Sequence, residues 1–132
     1  MKLNEIFDTI RRHRQHFSGI TFRFHNDGSN AISGTQLADI APLWTDLRAA
    51  QIYNARGLNA DEAKQMVSTL IFKHLNKRKT QSKTFANERE RFLSFVADTA
   101  AHKRLLRIAV WHESSSWTGI AIIVIKDDND TE

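Results

Sequence analysis

The chain lacks several features that mark particular classes of protein. Its 132 residues include no cysteine, which excludes a disulfide framework, a thiol nucleophile and a thiolate metal site. The longest apolar run, Ile120–Ile125, is six residues, whereas a membrane-spanning helix needs roughly 18. The first residues also lack the apolar core of a signal peptide. The sequence therefore predicts a cytoplasmic protein that does not enter a membrane.

The signatures of common enzymes and cofactor-binding proteins are missing as well. One proline and five glycines include no Gly-x-Gly-x-x-Gly and no Walker loop to cradle a phosphate. Neither the His-Glu-x-x-His pattern of zinc proteases nor the Gly-x-Ser-x-Gly turn of serine hydrolases occurs. We therefore expect no cofactor and no resident metal, and the sequence favours a function without catalysis.

The composition is that of a folded domain. Hydrophobic residues make up 41% of the chain and charged residues 26%, close to the average of globular proteins. No repeat or linker divides the sequence, so we predict a single domain over 1–126. Residues 127–132 contain four acidic residues and no base, and we expect them to form a flexible acidic tail.

Periodicity predicts an α+β fold. Apolar residues at three- and four-residue steps indicate four helices, over 3–16, 36–52, 60–76 and 84–102. Alternation, or a continuous apolar run, indicates strands near 20–25, 105–112 and 117–125. A short returning strand near 31–32 is the fourth candidate. These elements favour a mostly antiparallel sheet of three or four strands, covered by about four helices.

The charge is positive and unevenly distributed. The nineteen bases exceed the fifteen acids by four over the whole chain, and residues 1–126 contain all nineteen bases but only eleven acids, a net charge of +8. Two clusters of basic residues stand out, one near the end of the first predicted helix and one near the middle of the chain. They are Arg11, Arg12, His13, Arg14 and His16, and Lys73, His74, Lys77, Arg78, Lys79 and Lys83. We hypothesise that both clusters lie on one exposed surface and bind an acidic macromolecule.

Two pairs of a histidine and a carboxylate stand at the ends of predicted strands. They are His25 with Asp27, and His112 with Glu113. If the first strand and the strand over 105–112 run parallel, these side chains converge and supply an acid/base pair or metal ligands. If the two strands run antiparallel, the pairs separate. These four residues are the sequence's candidates for catalysis, and the alternative is that they are ordinary surface residues at strand ends.

Two tryptophans flank the predicted turn over 113–116. Trp111 and Trp117 either pack across the two strands or present a ring to a partner. We include both among the candidate binding residues, together with the lysines and arginines of the two clusters.

Three functions follow from these observations. The first is a small basic binding protein without catalytic activity, which docks through a face rich in lysine and arginine on nucleic acid or on a complex that handles nucleic acid. The alternative is an inhibitor or immunity-type factor that binds an acidic patch of an enzyme. A second alternative is a small nuclease that depends on histidine or a metal. Nothing in the sequence determines the oligomeric state.

Overall fold

The computed structural model describes residues 12, 16–34, 50–76 and 81–126. Most of the predicted helices over 3–16 and 36–52, and the predicted acidic tail, lie outside these residues. The described strands are β1 Phe17–His25, β2 Ala31–Ser33, β3 Gln51–Asn54, β4 Leu105–His112 and β5 Trp117–Ile125.

The five strands form one sheet in the order β2-β1-β5-β4-β3, and every neighbouring pair is antiparallel. β5 is the central strand, and a hydrophobic core covers each of its faces, so seven consecutive residues, 118–124, are buried. This position explains why β5 reads as a nearly continuous apolar run rather than an alternating one.

The helices whose bounds lie in the described residues are α1, Ala60–His74, and α2, Lys83–Ala101. At the start of α1, the side chain of Asn59 accepts the amide of Glu62 at 2.8 Å, while Glu62 accepts the amide of Asn59 at 3.0 Å. This reciprocal cap confirms the pair that the sequence predicts. Ser82 caps α2 by accepting the amide of Phe85 at 2.9 Å.

The predicted numbers of strands and helices are wrong. The sheet has five strands rather than three or four, because β3 occupies residues 51–54 at the end of the predicted helix over 36–52. The described residues contain two helices with defined bounds rather than about four. Four residues are too few for alternation to identify β3, whose partner in β4 lies more than fifty residues further along the chain. The bounds of β4 and β5 are confirmed, and those of α1 and α2 are right to within two residues.

One face of the sheet packs against α2 through phenylalanine rings. In β1, Phe22 and Phe24 are fully buried and Arg23 between them is exposed, as the alternation predicts. The two rings stack on each other at 5.3 Å between centroids, and Phe85 and Phe92 of α2 lie within 5.8 Å of them. These aromatic contacts attach α2 to the sheet.

The opposite face has a second core around Trp111. This side chain is 1% exposed, and its ring lies over Gly119, the residue directly opposite it in β5. A Cβ atom at Gly119 would come within 2.2 Å of Cζ2 of Trp111. Glycine is therefore the only residue type that leaves room for the ring.

In the described ranges, no helix is both long enough and apolar enough to cross a membrane.

Candidate functional site

The topology places the C-terminal ends of β1 and β4 at the same end of the sheet. Both strands are antiparallel to β5, which lies between them, so they run in the same direction. We call the end of the sheet at His25 and His112, where both strands finish, the histidine end. We call the opposite end, where both strands begin and where Arg56 and Lys103 lie beside a cavity, the cavity end.

The two candidate histidines meet at the histidine end but lie on opposite faces of the sheet. His25 is opposite Trp117 and His112 is opposite Thr118. Because consecutive residues of a strand point to opposite faces, the two imidazoles are separated by the sheet itself. Because β1 and β4 run in the same direction, the two histidines do lie at one end of the sheet. Their side chains nevertheless do not form one site.

The carboxylates of the candidate set each contact a basic side chain nearby. Glu113 accepts two hydrogen bonds from Arg23, at 2.6 Å from Nε and 3.0 Å from Nη2. Oδ1 of Asp27 is 2.7 Å from Nδ1 of His25, and hydrogen bonds from Ser29 hold the pKa of Asp27 below its ordinary value. The described ranges contain no group of three or more histidines and carboxylates arranged to hold a metal ion.

A different histidine pair forms between the sheet and α1. The rings of His74 and His112 are 5.2 Å apart between centroids, and Oγ1 of Thr118 lies 3.4 Å from Nδ1 of His112. Thr118 donates its hydroxyl hydrogen to Oδ1 of Asn26 at 2.7 Å. Nε2 of His74 is buried and makes no hydrogen bond. Burial lowers the pKa of His74, and the charges of His112 and Lys73 lower it further.

Backbone hydrogen bonds join the loops of the histidine end to one another. The amide of Asn76, just after α1, donates to the carbonyl of Asn26 at 2.7 Å, and the amide of Ser82 donates to the carbonyl of Gly28 at 2.9 Å. Asn26 in turn donates its amide to the carbonyl of Ser116 at 2.7 Å. Both turns of the sheet, the end of α1 and the start of α2 thus form one connected unit.

The described members of the two basic clusters lie at opposite ends of the sheet. His16 directly precedes β1 at the cavity end, where its carbonyl accepts the amide of Lys126 at 2.7 Å. Lys73 and Lys83 flank the bonded loops of the histidine end. The nine residues of β1 separate its two ends by about 26 Å, whereas Arg12 is four residues from His16, a reach of at most about 14 Å. The described cations of the two clusters therefore stand at different ends of the sheet, and a surface shared by the complete clusters stays a prediction.

Six residues of the two clusters cannot be placed, because they lie outside the described residues: Arg11, His13, Arg14, Lys77, Arg78 and Lys79.

At the histidine end, an exposed aromatic ring lies against a cation. Phe72, in the last turn of α1, is 54% exposed, and the guanidinium carbon of Arg89 lies 5.7 Å from the centroid of its ring. Lys73 follows Phe72 in the chain and Lys83 begins α2; both are exposed. The ion pairs of the described residues include neither lysine. We call Phe72, Lys73, Lys83 and Arg89 the Phe72 surface.

The two tryptophans have different environments. Trp111 is buried over Gly119 and is not accessible to a partner. Trp117 is partly buried, and its ring meets that of His25 edge-on at 5.4 Å. Trp111 thus packs on Gly119 of the neighbouring strand, and Trp117 packs on His25 of the neighbouring strand.

At the cavity end, two exposed cations line a cavity of about 790 Å³. They are Arg56, in the loop before α1, and Lys103, just after α2. The side chains of Leu58, Leu105 and Ile125 contribute apolar walls. Within the described ranges, no carboxylate forms an ion pair with either cation.

A third cation, Arg107, adds to the positive potential near Arg56. Its Nη1 donates to Oδ1 of Asn54 at 2.8 Å and to the carbonyl of Leu106 at 2.9 Å. Burial and the nearby charge of Arg56 lower the pKa of Arg107, which indicates that the like charges repel. A smaller cavity, of about 250 Å³, lies near the end of α2 beside Asp98 and His102.

Sequence reasoning misses the cavity end. Arg56 and Lys103 are 47 positions apart, so nothing in the chain order connects them. The available signal is local: each lies next to a helix terminus, Arg56 before the cap of α1 and Lys103 after the end of α2. Only the packing of the two helices shows that these termini meet.

Comparison with protein-family models, with curated proteins and with solved structures finds no significant match to the chain.

Proposed function

We propose that the chain is a cytoplasmic binding protein without catalytic activity, and that it docks on nucleic acid through the Phe72 surface. The observation that carries the proposal is the exposed ring of Phe72 against the guanidinium of Arg89, with the exposed Lys73 next to it in the chain. Proteins that bind single strands combine aromatic rings, on which bases stack, with cations that contact phosphates.

The charges around the ring favour lysine as the phosphate contact. Arg89 already donates to Gln81 at 2.7 Å and lies 3.5 Å from a carboxylate oxygen of Glu90, so part of its charge is compensated. Lys73 and Lys83 have no such partner among the described residues. The proposal therefore assigns the base contact to Phe72 and the phosphate contacts to the two lysines, with Lys77, Arg78 and Lys79 as further candidates from the sequence.

A single strand fits this surface better than a duplex. Reading the major groove requires an exposed helix that carries cations along one side, whereas the two lysines of the Phe72 surface stand at the end of α1 and the start of α2. A ring at such a helix terminus can stack on an unpaired base without entering a groove.

The test is the binding of fluorescent single-stranded DNA and RNA, measured at 50 mM and 200 mM salt. Phe72→Ala is expected to weaken binding about tenfold through the lost stacking contact. Lys73→Ala combined with Lys83→Ala should lower the slope of log affinity against log salt by about 1.4, the contribution of two phosphates on a single strand. The matched control is Lys64→Ala combined with Lys126→Ala, which removes the same charge away from the Phe72 surface.

The outcomes are distinct. Binding that both sets of lysine variants weaken equally reflects net charge alone and contradicts the Phe72 surface. Absence of binding at 50 mM salt contradicts a nucleic-acid target. A protein partner that is captured from lysate and survives nuclease treatment, and that the Phe72 surface variants release, would replace nucleic acid by the acidic patch of a protein.

A further inference from the structure

The cavity end has the features of a ligand site, and it is separate from the Phe72 surface. Its volume of about 790 Å³ falls within the range of roughly 300–1,000 Å³ that small-molecule sites occupy. Most lining residues are apolar, and the charged lining side chains among the described residues are Arg56 and Lys103. An apolar pocket with a few converging polar groups is the usual design of a site for a small molecule.

Among the described residues, no carboxylate compensates the positive charge of Arg56 and Lys103 at this cavity. Arg56 lies close enough to Arg107 for the two guanidinium groups to repel. The described acidic residues nearest in sequence to the two cations do not line the cavity: Asp61 and Glu62 lie in the first turn of α1, and Asp98 lies near the end of α2. The site therefore attracts an anion, and burial of apolar surface beside the charge would add to the affinity.

The backbone at Lys103 provides a second, independent observation. Lys103 has φ 61°, the left-handed conformation that costs a residue with a side chain roughly 1 kcal/mol. The amide of Arg104 bonds the carbonyl of Thr99 at 3.2 Å, and the amide of Lys103 bonds the carbonyl of Ala100 at 3.0 Å. In this type of helix ending the left-handed residue is usually glycine. A cationic side chain that is kept at a strained position, at the mouth of a cavity, is consistent with a role in binding.

From this geometry we infer that the cavity binds a small amphipathic anion. Arg56 and Lys103 hold its carboxylate or phosphate group, and its apolar body packs against Leu58, Leu105 and Ile125. A carboxylate and a phosphate offer the same oxygen acceptors to these two cations, so the chemistry shared by the two head groups defines the ligand class. This inference does not depend on the proposed docking of nucleic acid at the histidine end.

The experiment titrates the full-length protein with decanoate, below its micelle-forming concentration, by calorimetry and by amide NMR shifts. Decanol, which has the same apolar body without charge, and acetate, which has the charge without the body, are the matched probes. Decanoate is expected to bind saturably with one molecule per chain and at least tenfold more tightly than either probe. The shifted amides should include those of Gly57 and Lys103. Decyl phosphate, titrated in the same way, distinguishes a phosphate head group from a carboxylate.

Three variants complete the test. Arg56→Gln and Lys103→Gly should each weaken binding of decanoate about tenfold, and Lys103→Gly does so while relieving backbone strain, so lost binding cannot be attributed to lost folding. Lys64→Gln, an exposed cation of α1 that does not line the cavity, should leave the affinity unchanged. The inference is overturned if neither anion binds saturably, if decanol binds as tightly as decanoate, if the shifts map elsewhere, or if Arg56→Gln and Lys103→Gly bind like the native chain.

Discussion

The two ends of the sheet both carry cations, but in different settings. At the histidine end the backbone loops bond to one another, Arg23 is paired with Glu113, and the exposed ring of Phe72 lies against the guanidinium of Arg89. At the cavity end Arg56 and Lys103 have no acidic partner in the described ranges and face apolar walls. The same sign of charge therefore suits two different ligands: an extended polymer at one end, and a small molecule with an apolar body at the other.

The direction of the helices produces this difference. α1 begins at the cavity end with the cap at Asn59 and ends at the histidine end, where Asn76 bonds to Asn26. α2 returns from Ser82 to Lys103. The residues that follow α1 and precede α2 bond to the turn between β1 and β2 at the histidine end, whereas the first turn of α1 and the last turn of α2 leave the cavity between them.

The largest expected effect is a loss of stability that compares the packing around two glycines, Gly119 toward the histidine end and Gly57 at the cavity end. Gly119→Ala places a methyl group 2.2 Å from a ring atom of Trp111, so the ring or the strand must move. We expect a loss of about 3 kcal/mol in the free energy of unfolding, measured by urea denaturation. Gly57→Ala, at the cavity end, meets no atom within 4 Å but has φ 88°, and should cost about 1 kcal/mol from backbone strain alone.

A double-mutant cycle identifies the cause of the larger effect. If the clash with the ring destabilises Gly119→Ala, the same substitution should cost much less in a chain that already carries Trp111→Leu. Equal costs in both backgrounds would show that the conformational freedom of glycine, rather than the space for the ring, sets the effect.

The second expected effect is a gain in stability at the cavity end. Lys103→Gly removes the cost of a side chain at φ 61°, and the free energy of unfolding should rise by up to about 1 kcal/mol. Lys103→Ala serves as the control, because it removes the same charge but keeps a Cβ atom and so keeps the strain. A gain that is equal in both variants would attribute the effect to charge repulsion near Arg56 instead of backbone strain.

How far the sequence predicts this molecule depends on the range of the interactions involved. Strands β4 and β5 and the caps of α1 are local features, set by alternation, a four-residue turn and the Asn59–Glu62 pair, and the sequence identifies them. The pairing of β3 with β4 joins residues more than fifty positions apart, and no local pattern indicates it. The placement of β5 between β1 and β4 is equally non-local, and it separates the side chain of His25 from that of His112.

The third expected effect concerns pH and His74. Because the pKa of His74 is lowered in the folded protein, from an ordinary value of 6.5, by burial and by the charges of His112 and Lys73, the unfolded chain binds more protons once the pH falls below that value. Stability should therefore decrease as the pH falls below about 6.5, and the decrease should level off below the lowered pKa. His74→Gln, which cannot titrate, should flatten this part of the profile of urea midpoints between pH 7.5 and 5.

A control from the other end of the molecule tests the assignment to His74. His102 caps the end of α2 and is exposed, and His102→Gln should leave the decrease in stability below about pH 6.5 in place. If His102→Gln flattens the profile as much as His74→Gln does, the pH dependence does not arise at the histidine end.

The smallest expected effect is the coupling energy of the Arg23–Glu113 ion pair at the histidine end. Arg23 makes two hydrogen bonds to Glu113, but its side chain is 47% exposed, so water and salt screen the attraction. A double-mutant cycle with Arg23→Gln and Glu113→Gln should give a coupling of about 0.5 kcal/mol at low salt, and less at 0.5 M salt. A coupling above about 2 kcal/mol that is insensitive to salt would mean that this pair is shielded from water as buried pairs are. In that case the charges of Arg23 and Glu113 would be shielded from water. The two ends of the sheet would then differ in how deeply their charges are buried, as well as in whether those charges are paired.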